Sequence, residues 1–174
     1  MSWSRKDVSR LLLAGAVALP LGGLAACGFQ PLYGTRGAAD SGARAELAAV
    51  RIEPLENRVG QQMHNFLRDR LNPDGQPVAP EYRLQVQLTE TLTELGVQRD
   101  ETATRANLQM VAQFTLFGYG NDASLFSGRS SSTTSYDILR NPFATTVSEE
   151  DARERALREL ADDIQTRLAL YFQR

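Results

Sequence analysis

The strongest constraint on this chain is the alternation in its middle. From Glu81 to Gln98, Tyr82, Leu84, Val86, Leu88 and Leu92 fall on one side, and Arg83, Gln85, Gln87, Thr89 and Thr91 on the other. An extended strand sends successive side chains to opposite faces, so this stretch predicts a long strand with one packed face. The pattern repeats from about Thr102 to Tyr119: Leu108, Met110, Ala112, Phe114 and Leu116 point inward, with Asn107, Gln109, Gln113 and Thr115 opposite. Leu95 and Val97 break the phase after Leu92, which predicts a bulge or a hairpin turn near Gly96, with Arg99-Asp100-Glu101 at its tip. Gly118 to Asp122 reads as a turn, and Ala123 to Tyr136 as a third long strand poor in large apolar residues. One face solvated and one packed is the mark of an antiparallel sheet covered on a single side.

What covers it is written on either flank in a different period. Leu47 to Pro54 carries Val50 and Ile52 in alternation and reads as a short strand stopped by proline. From Asn57 to Leu71, Val59, Met63, Phe66, Leu67 and Leu71 form one helical stripe; Asn57 can cap its start, and Asn72-Pro73-Asp74-Gly75 ends it. Asp137 to Val147 reads as a loop. Ser148-Glu149-Glu150-Asp151 then reads as the acidic start of a helix to about Phe172, with a stripe through Leu157, Leu160, Ala161, Ile164, Leu168, Tyr171 and Phe172. Glu154–Arg158 and Asp163–Arg167 are i,i+4 pairs on its wet side, and Leu170 lies off the stripe. The order β-α-β-β-β-α predicts an α+β fold: a two-layer α/β sandwich in which a sheet of about four mostly antiparallel strands carries two helices on one face.

The N-terminus speaks to localisation. Arg5, Lys6 and Arg10 lead into an apolar run from Leu11 to Leu24 that is too short and too glycine-rich for a lasting membrane span, so residues 1–26 read as a signal peptide. Cys27, the sole cysteine of 174 residues, follows Leu24-Ala25-Ala26 directly. The stretch resembles the lipobox of bacterial lipoproteins, in which such a cysteine is acylated and becomes the first mature residue. The competing reading is ordinary cleavage after Gly23-Leu24-Ala25 with Cys27 left as a free thiol, but a lone thiol has no disulfide partner within the chain. In the lipoproteins it resembles, an aspartate after the cysteine favours the inner membrane; Gly28 stands there, which points to a periplasm-facing lipid anchor in the outer membrane. Ser4-Arg5-Lys6-Asp7-Val8 matches a twin-arginine signal only loosely, and the general secretory route is preferred. Residues 27–46 read as a lipid-anchored flexible tether, since Thr35 to Glu46 has no periodicity. Residues 47–174 form a single domain.

Composition removes several function classes. The mature part has 16 arginines against 20 acids and no lysine, a net charge of −4, and no basic cluster interleaved with aromatics, so no nucleic-acid partner is expected. His64, the sole histidine, lies outside its helix's apolar stripe and has no companion ligands for a metal. Gly118-x-Gly120-x-x-Ala123 fits a relaxed dinucleotide fingerprint, yet no helical pattern follows it, and a hairpin turn is the better reading. Ser130 to Ser135 offers hydroxyls without a nucleophile elbow or a base. The carboxylate pairs Glu149-Glu150 and Asp162-Asp163 splay apart on a helix and read as solvated faces and caps. No enzyme and no cofactor is expected. The outward sheet face is the remaining feature: Gln85, Gln87, Thr89, Thr91, Gln109, Gln113, Thr115, Ser127, Ser131 and Thr133 are uncharged donors and acceptors. It is either an ordinary solvated face or one that meets another protein's polar wall.

Taken together, the lipobox, Cys27-Gly28-Phe29 with Pro31-Leu32-Tyr33, the strand-helix-strands-helix body and the C-terminal Ala152-Arg153-Glu154-Arg155-Ala156-Leu157 helix resemble the lipopolysaccharide-assembly lipoprotein LptE in its alphaproteobacterial form. The resemblance implies a non-enzymatic protein that plugs the outer-membrane β-barrel LptD, helps it assemble and contacts lipopolysaccharide on its way to the surface. It makes Gln85, Gln87, Gln109 and Gln113 the candidate barrel-contact face. Lipid A carries phosphates, so Arg99 and Arg105, flanking the predicted hairpin tip, are the candidate lipopolysaccharide contacts, unless Asp100 and Glu101 simply pair with them. The alternative is a ligand-binding or auxiliary lipoprotein of another envelope transport system, without a barrel.

Overall fold

The computed structural model describes residues 38–97, 103–121 and 123–173. The signal segment, Cys27 and the hairpin tip with Arg99 lie outside the described residues. The elements run α1 (Ala38–Ala48), β1 (Val50–Ile52), α2 (Asn57–Leu71), β2 (Tyr82–Val97), β3 (Ala103–Gly118), β4 (Ser124–Asp137) and α3 (Pro142–Phe172). The sheet order is β1-β2-β3-β4, with β1 parallel to β2 and the two remaining pairings antiparallel. This is the expected α+β sandwich, with one helix more than expected.

The extra helix takes up residues 38–46 of the 27–46 stretch expected as a tether. Ala38–Ala48 is helical because Ala43 and Leu47, four apart, share one buried stripe against α3. Alanine costs least to hold in a helix, so two buried side chains suffice where no long apolar repeat is visible. The Asn72 amide ties this element down, donating to the carbonyls of Ala48 (3.1 Å) and Val50 (3.2 Å). The nearby Glu46 carboxylate of this helix, together with burial, pushes the Tyr82 hydroxyl up to about 12.

Two boundaries also differ. α3 starts at Pro142, six residues before Ser148, and the loop expected over residues 137–147 shortens accordingly. Asn141 is its N-cap, accepting from the Phe143 N–H at 3.0 Å, and Pro142 occupies the first turn, where a missing N–H costs nothing. In β2 the register runs without interruption from Tyr82↔Gly118 to Leu95↔Arg105 and on to Val97↔Ala103, so no bulge follows Leu92. Leu92 and Leu95 stay 46% and 40% exposed because α3 lies over β3 and β4, where Leu92's partner Leu108 is buried, and leaves this part of β2 uncovered. With neither side of β2 buried there, its hydrophobic pattern loses phase while the pairing continues. The irregularity that does exist sits between β3 and β4, at Leu116/Phe117.

α2 begins as the sequence suggests, though Asn57 itself adopts a left-handed φ of 63°, tolerable for asparagine, and its Oδ1 accepts from the Gly60 N–H at 2.9 Å. His64 turns its Nδ1 to the Glu53 carbonyl at 3.3 Å, joining α2 to the end of β1. α2 is stitched to α3 by Arg70, which pairs with Asp162, and by Gln165, which donates to the Arg70 carbonyl at 3.2 Å.

The core lies between the sheet's inner face and α3. Leu84, Leu108, Met110, Phe114 and Leu116 meet Ala156, Leu157, Leu160, Ile164 and Leu168 there, all buried. Between Phe126 and Tyr136 the inward positions of β4 are all small. A Cβ on Gly128 would lie 2.5 Å from the Phe114 ring, which occupies the space over it. Ser130, Ser132 and Thr134 follow, all buried; Ser132 donates to Glu159 at 2.6 Å and Thr134 to the Ala152 carbonyl at 3.0 Å. Phe114, Phe126, Tyr171, Phe172 and Tyr82 form a chain of ring contacts 5.0–5.9 Å apart that fastens the end of α3 to the sheet.

Candidate interface: the open face of the sheet

All helices described lie on one side, so among the described residues nothing covers the other face of β2, β3 and β4. Register aligns its side chains into cross-strand rows: Gln85-Thr115-Ser127, Gln87-Gln113-Arg129, Thr89-Val111-Ser131, Thr91-Gln109-Thr133 and Thr93-Asn107-Ser135. At about 3.3 Å per residue these rows cover roughly 27 Å of strand. Gln85, Gln87, Gln109 and Gln113, named from sequence, are all exposed on this face, and Gln87 stands directly opposite Gln113.

The face is neutral in its middle and charged at its ends. At one end Arg83 pairs with Glu53 and lies 4.4 Å over the Phe117 ring. At the other, Arg105 reaches Asp137 at 3.4 Å, with both side chains more than half exposed. The five rows between hold one charge, Arg129. Sequence reasoning missed Arg129, although its phase with Ser127 and Ser131 was sufficient to place it on this face. It also missed Val111, 8% exposed and walled in by its neighbours on the polar side. Within the face Ser135 donates to Asn107 at 2.7 Å. Amides and hydroxyls lose far less on leaving water than ions do, and they regain it from any polar surface that supplies partners. Such a face suits a polar, hydrogen-bonding partner rather than a lipid phase.

The remaining sequence candidates resolve into structural parts. Gly118-x-Gly120 is a turn between two strands, Gly120 taking φ 85°, and no helix follows it. Ser130 to Ser135 lies in β4, its hydroxyls alternating between core and open face. Glu149 joins Glu90 around Arg153, which holds Glu90 by two bonds of 3.0 and 2.9 Å; those bonds to Glu90 raise the arginine's pKa further. Among the described residues no three His, Cys, Asp or Glu side chains stand close enough to hold a metal ion, and no helix is long and apolar enough to cross a membrane.

A small sheet backed by helices on one side is a fold shared with solved lipoprotein structures. They include a lipoprotein of Caulobacter crescentus CB15 (25% identity, 76% of this chain and 96% of that one, TM-score 0.64), the minor lipoprotein of Acinetobacter baumannii (15%, 70% and 88%, 0.55) and the rare lipoprotein B of Shewanella oneidensis (15%, 70% and 92%, 0.53). The last two likenesses concern the fold alone. An uncharacterized protein of Rickettsia prowazekii (strain Madrid E) is 25% identical over 127 residues, 73% of this chain and 79% of its own length. The profile of the LptE family, lipopolysaccharide-assembly, matches residues 47–168, and the chain belongs to that family. It is a family of non-enzymatic accessory lipoproteins of the cell envelope, associated with lipopolysaccharide assembly and typically set in the outer membrane.

Proposed function

We propose that this chain is the lipid-anchored plug subunit of the outer-membrane lipopolysaccharide translocon, seated with its open sheet face against the inner wall of the β-barrel LptD. The observation that carries the reading is the run of cross-strand polar rows, largely exposed, with Arg129 their one charge, backed by a packed core. A wide barrel lumen is polar, and a plug that fills it needs hydrogen-bonding groups with little charge to desolvate. In this reading the protein acts by contact and has no catalytic role. Arg105, with Arg99, meets lipid A phosphate; an exposed ion pair such as Arg105–Asp137 contributes at most about 1 kcal/mol and does not keep the guanidinium from a phosphate.

Capture of the chain from detergent extract tests this directly, with a stoichiometric LptD band expected. Recovery without a barrel would favour an auxiliary lipoprotein of another envelope system. Cys27 carries the anchor in the same reading. Cys27→Ala is expected to abolish palmitate incorporation and leave an unprocessed precursor; equal labelling of the variant would refute the lipobox.

A further inference from the structure

β1 covers only the start of β2. It pairs Val50–Ile52 with Tyr82–Leu84, and its last bond is the Glu53 N–H donating to the Leu84 carbonyl at 2.9 Å. Pro54 then stops it, having no N–H to give. In an antiparallel pair the main-chain groups point alternately toward the partner and away from it. The Leu84 carbonyl faces β1, away from β3, so the N–H and C=O of Val86, Leu88 and Glu90 face the same way. Beyond Ile52 no strand among the described residues meets them, although β2 continues to Val97.

The chain instead swings out through residues 53–60 and becomes the far wall of a cleft of about 750 Å3 beside this edge. Leu55, Val59, Val86, Leu88 and Met110 give the cleft an apolar lining. Gly60 lets the wall close up, since a Cβ there would lie 2.7 Å from the Leu55 Cβ. A row of main-chain donors and acceptors beside an apolar groove matches one ligand chemistry, another extended backbone with alternating side chains.

We infer that the Val86–Glu90 edge takes an extended segment of LptD as an added strand, in the line that β1 leaves at Ile52. The segment's alternate side chains enter the cleft, and the intervening ones turn toward the polar face. The inference rests on the proposed barrel partnership. Its link to that partner is continuity: Gln85 and Gln87 border the cleft and belong to the rows of the open face, so a wall covering those rows reaches the cleft. The rim is close to charge-balanced: Glu53 is paired with Arg83, Glu90 with Arg153, and Glu56 stands beside Arg58, which favours a neutral strand.

The test is amide hydrogen exchange on the full lipoprotein, alone and in the purified LptD complex. The Val86, Leu88 and Glu90 amides are expected to slow at least about tenfold in the complex, while Gln87, bonded to β3, is slow in both. Leu88→Pro removes one outward N–H at an edge position that tolerates proline and is expected to cut LptD recovery about tenfold. Leu88→Ala, which trims only the side chain, is expected to cost under about threefold. Should the proline variant fail to fold, the exchange measurement on the parent decides. A full-yield complex with these amides as fast as in the free protein overturns the added strand alone; absence of any LptD complex overturns the partnership as well.

Discussion

The two faces of one sheet were built under opposite rules, and Gln113 and Phe114 show it one residue apart. Phe114 faces inward at 2% exposure, over a glycine that no other residue could replace without displacing its ring. Gln113 faces outward, exposed, beside another glutamine. On the inner face of β3 and β4 the side chains pack against fixed neighbours, and even the hydroxyls of Ser132 and Thr134 are individually satisfied. On the outer face the side chains are interchangeable in size and chemistry, and few bond each other. The inner face specifies the fold. The outer face is held flat and rigid by it and keeps its hydrogen-bonding capacity for a partner.

The sharpest way to break this contrast is to truncate both neighbours. Phe114→Ala is expected to cost about 3–5 kcal/mol in urea unfolding, from lost burial and the cavity left under α3. Gln113→Ala is expected to stay within about 0.5 kcal/mol. Comparable losses would mean that the outer face is also part of the core. A smaller effect tests the polar part of the inner layer. Arg153→Ala strands Glu90 and Glu149 in a half-buried site, and a loss of about 2 kcal/mol is expected, part of the cost of breaking a fully buried pair.

Smallest is a pH effect on the inner side. The folded state holds the Tyr82 proton more tightly than the unfolded chain does, its hydroxyl standing at about 12 against 10.0. Above pH 10 the unfolded state releases that proton first, so stability is complete below pH 10 and falls between pH 10 and 12. Tyr82→Phe is expected to flatten that decline in pH-dependent melts. An unchanged slope would mean that Glu46 and burial do not hold the Tyr82 proton in the folded state.

Much of this division was legible in the sequence, because period two sorts side chains to faces before any partner is known. All four named glutamines share the open face, and the three long strands differ from expectation by only a residue or so at most ends. What escaped had short-range signals too weak to read. α1 is carried by two buried side chains in a run of alanine, glycine and charge. The start of α3 rests on the single dipeptide Asn141-Pro142, which reads equally well as a turn. The smallness of β4 resembled a poor strand; only the three-dimensional position of Phe114 shows why Gly128 must be bare. The cleft depends on β1 stopping one residue before Glu53 while β2 runs on, a length mismatch that no local pattern encodes.

The claim that the open face is a docking surface is tested most directly by charge. Gln87→Glu and Gln109→Glu each put a carboxylate into the polar rows at an exposed position, so the unfolding midpoint of the free lipoprotein should not move. Against a polar barrel wall the carboxylate loses hydration without gaining a cation, at a cost of order 1–3 kcal/mol or more, and each variant should recover about tenfold less LptD than the parent. Undiminished recovery of LptD by both variants, at unchanged stability, would contradict the account and leave the face an ordinary solvated surface.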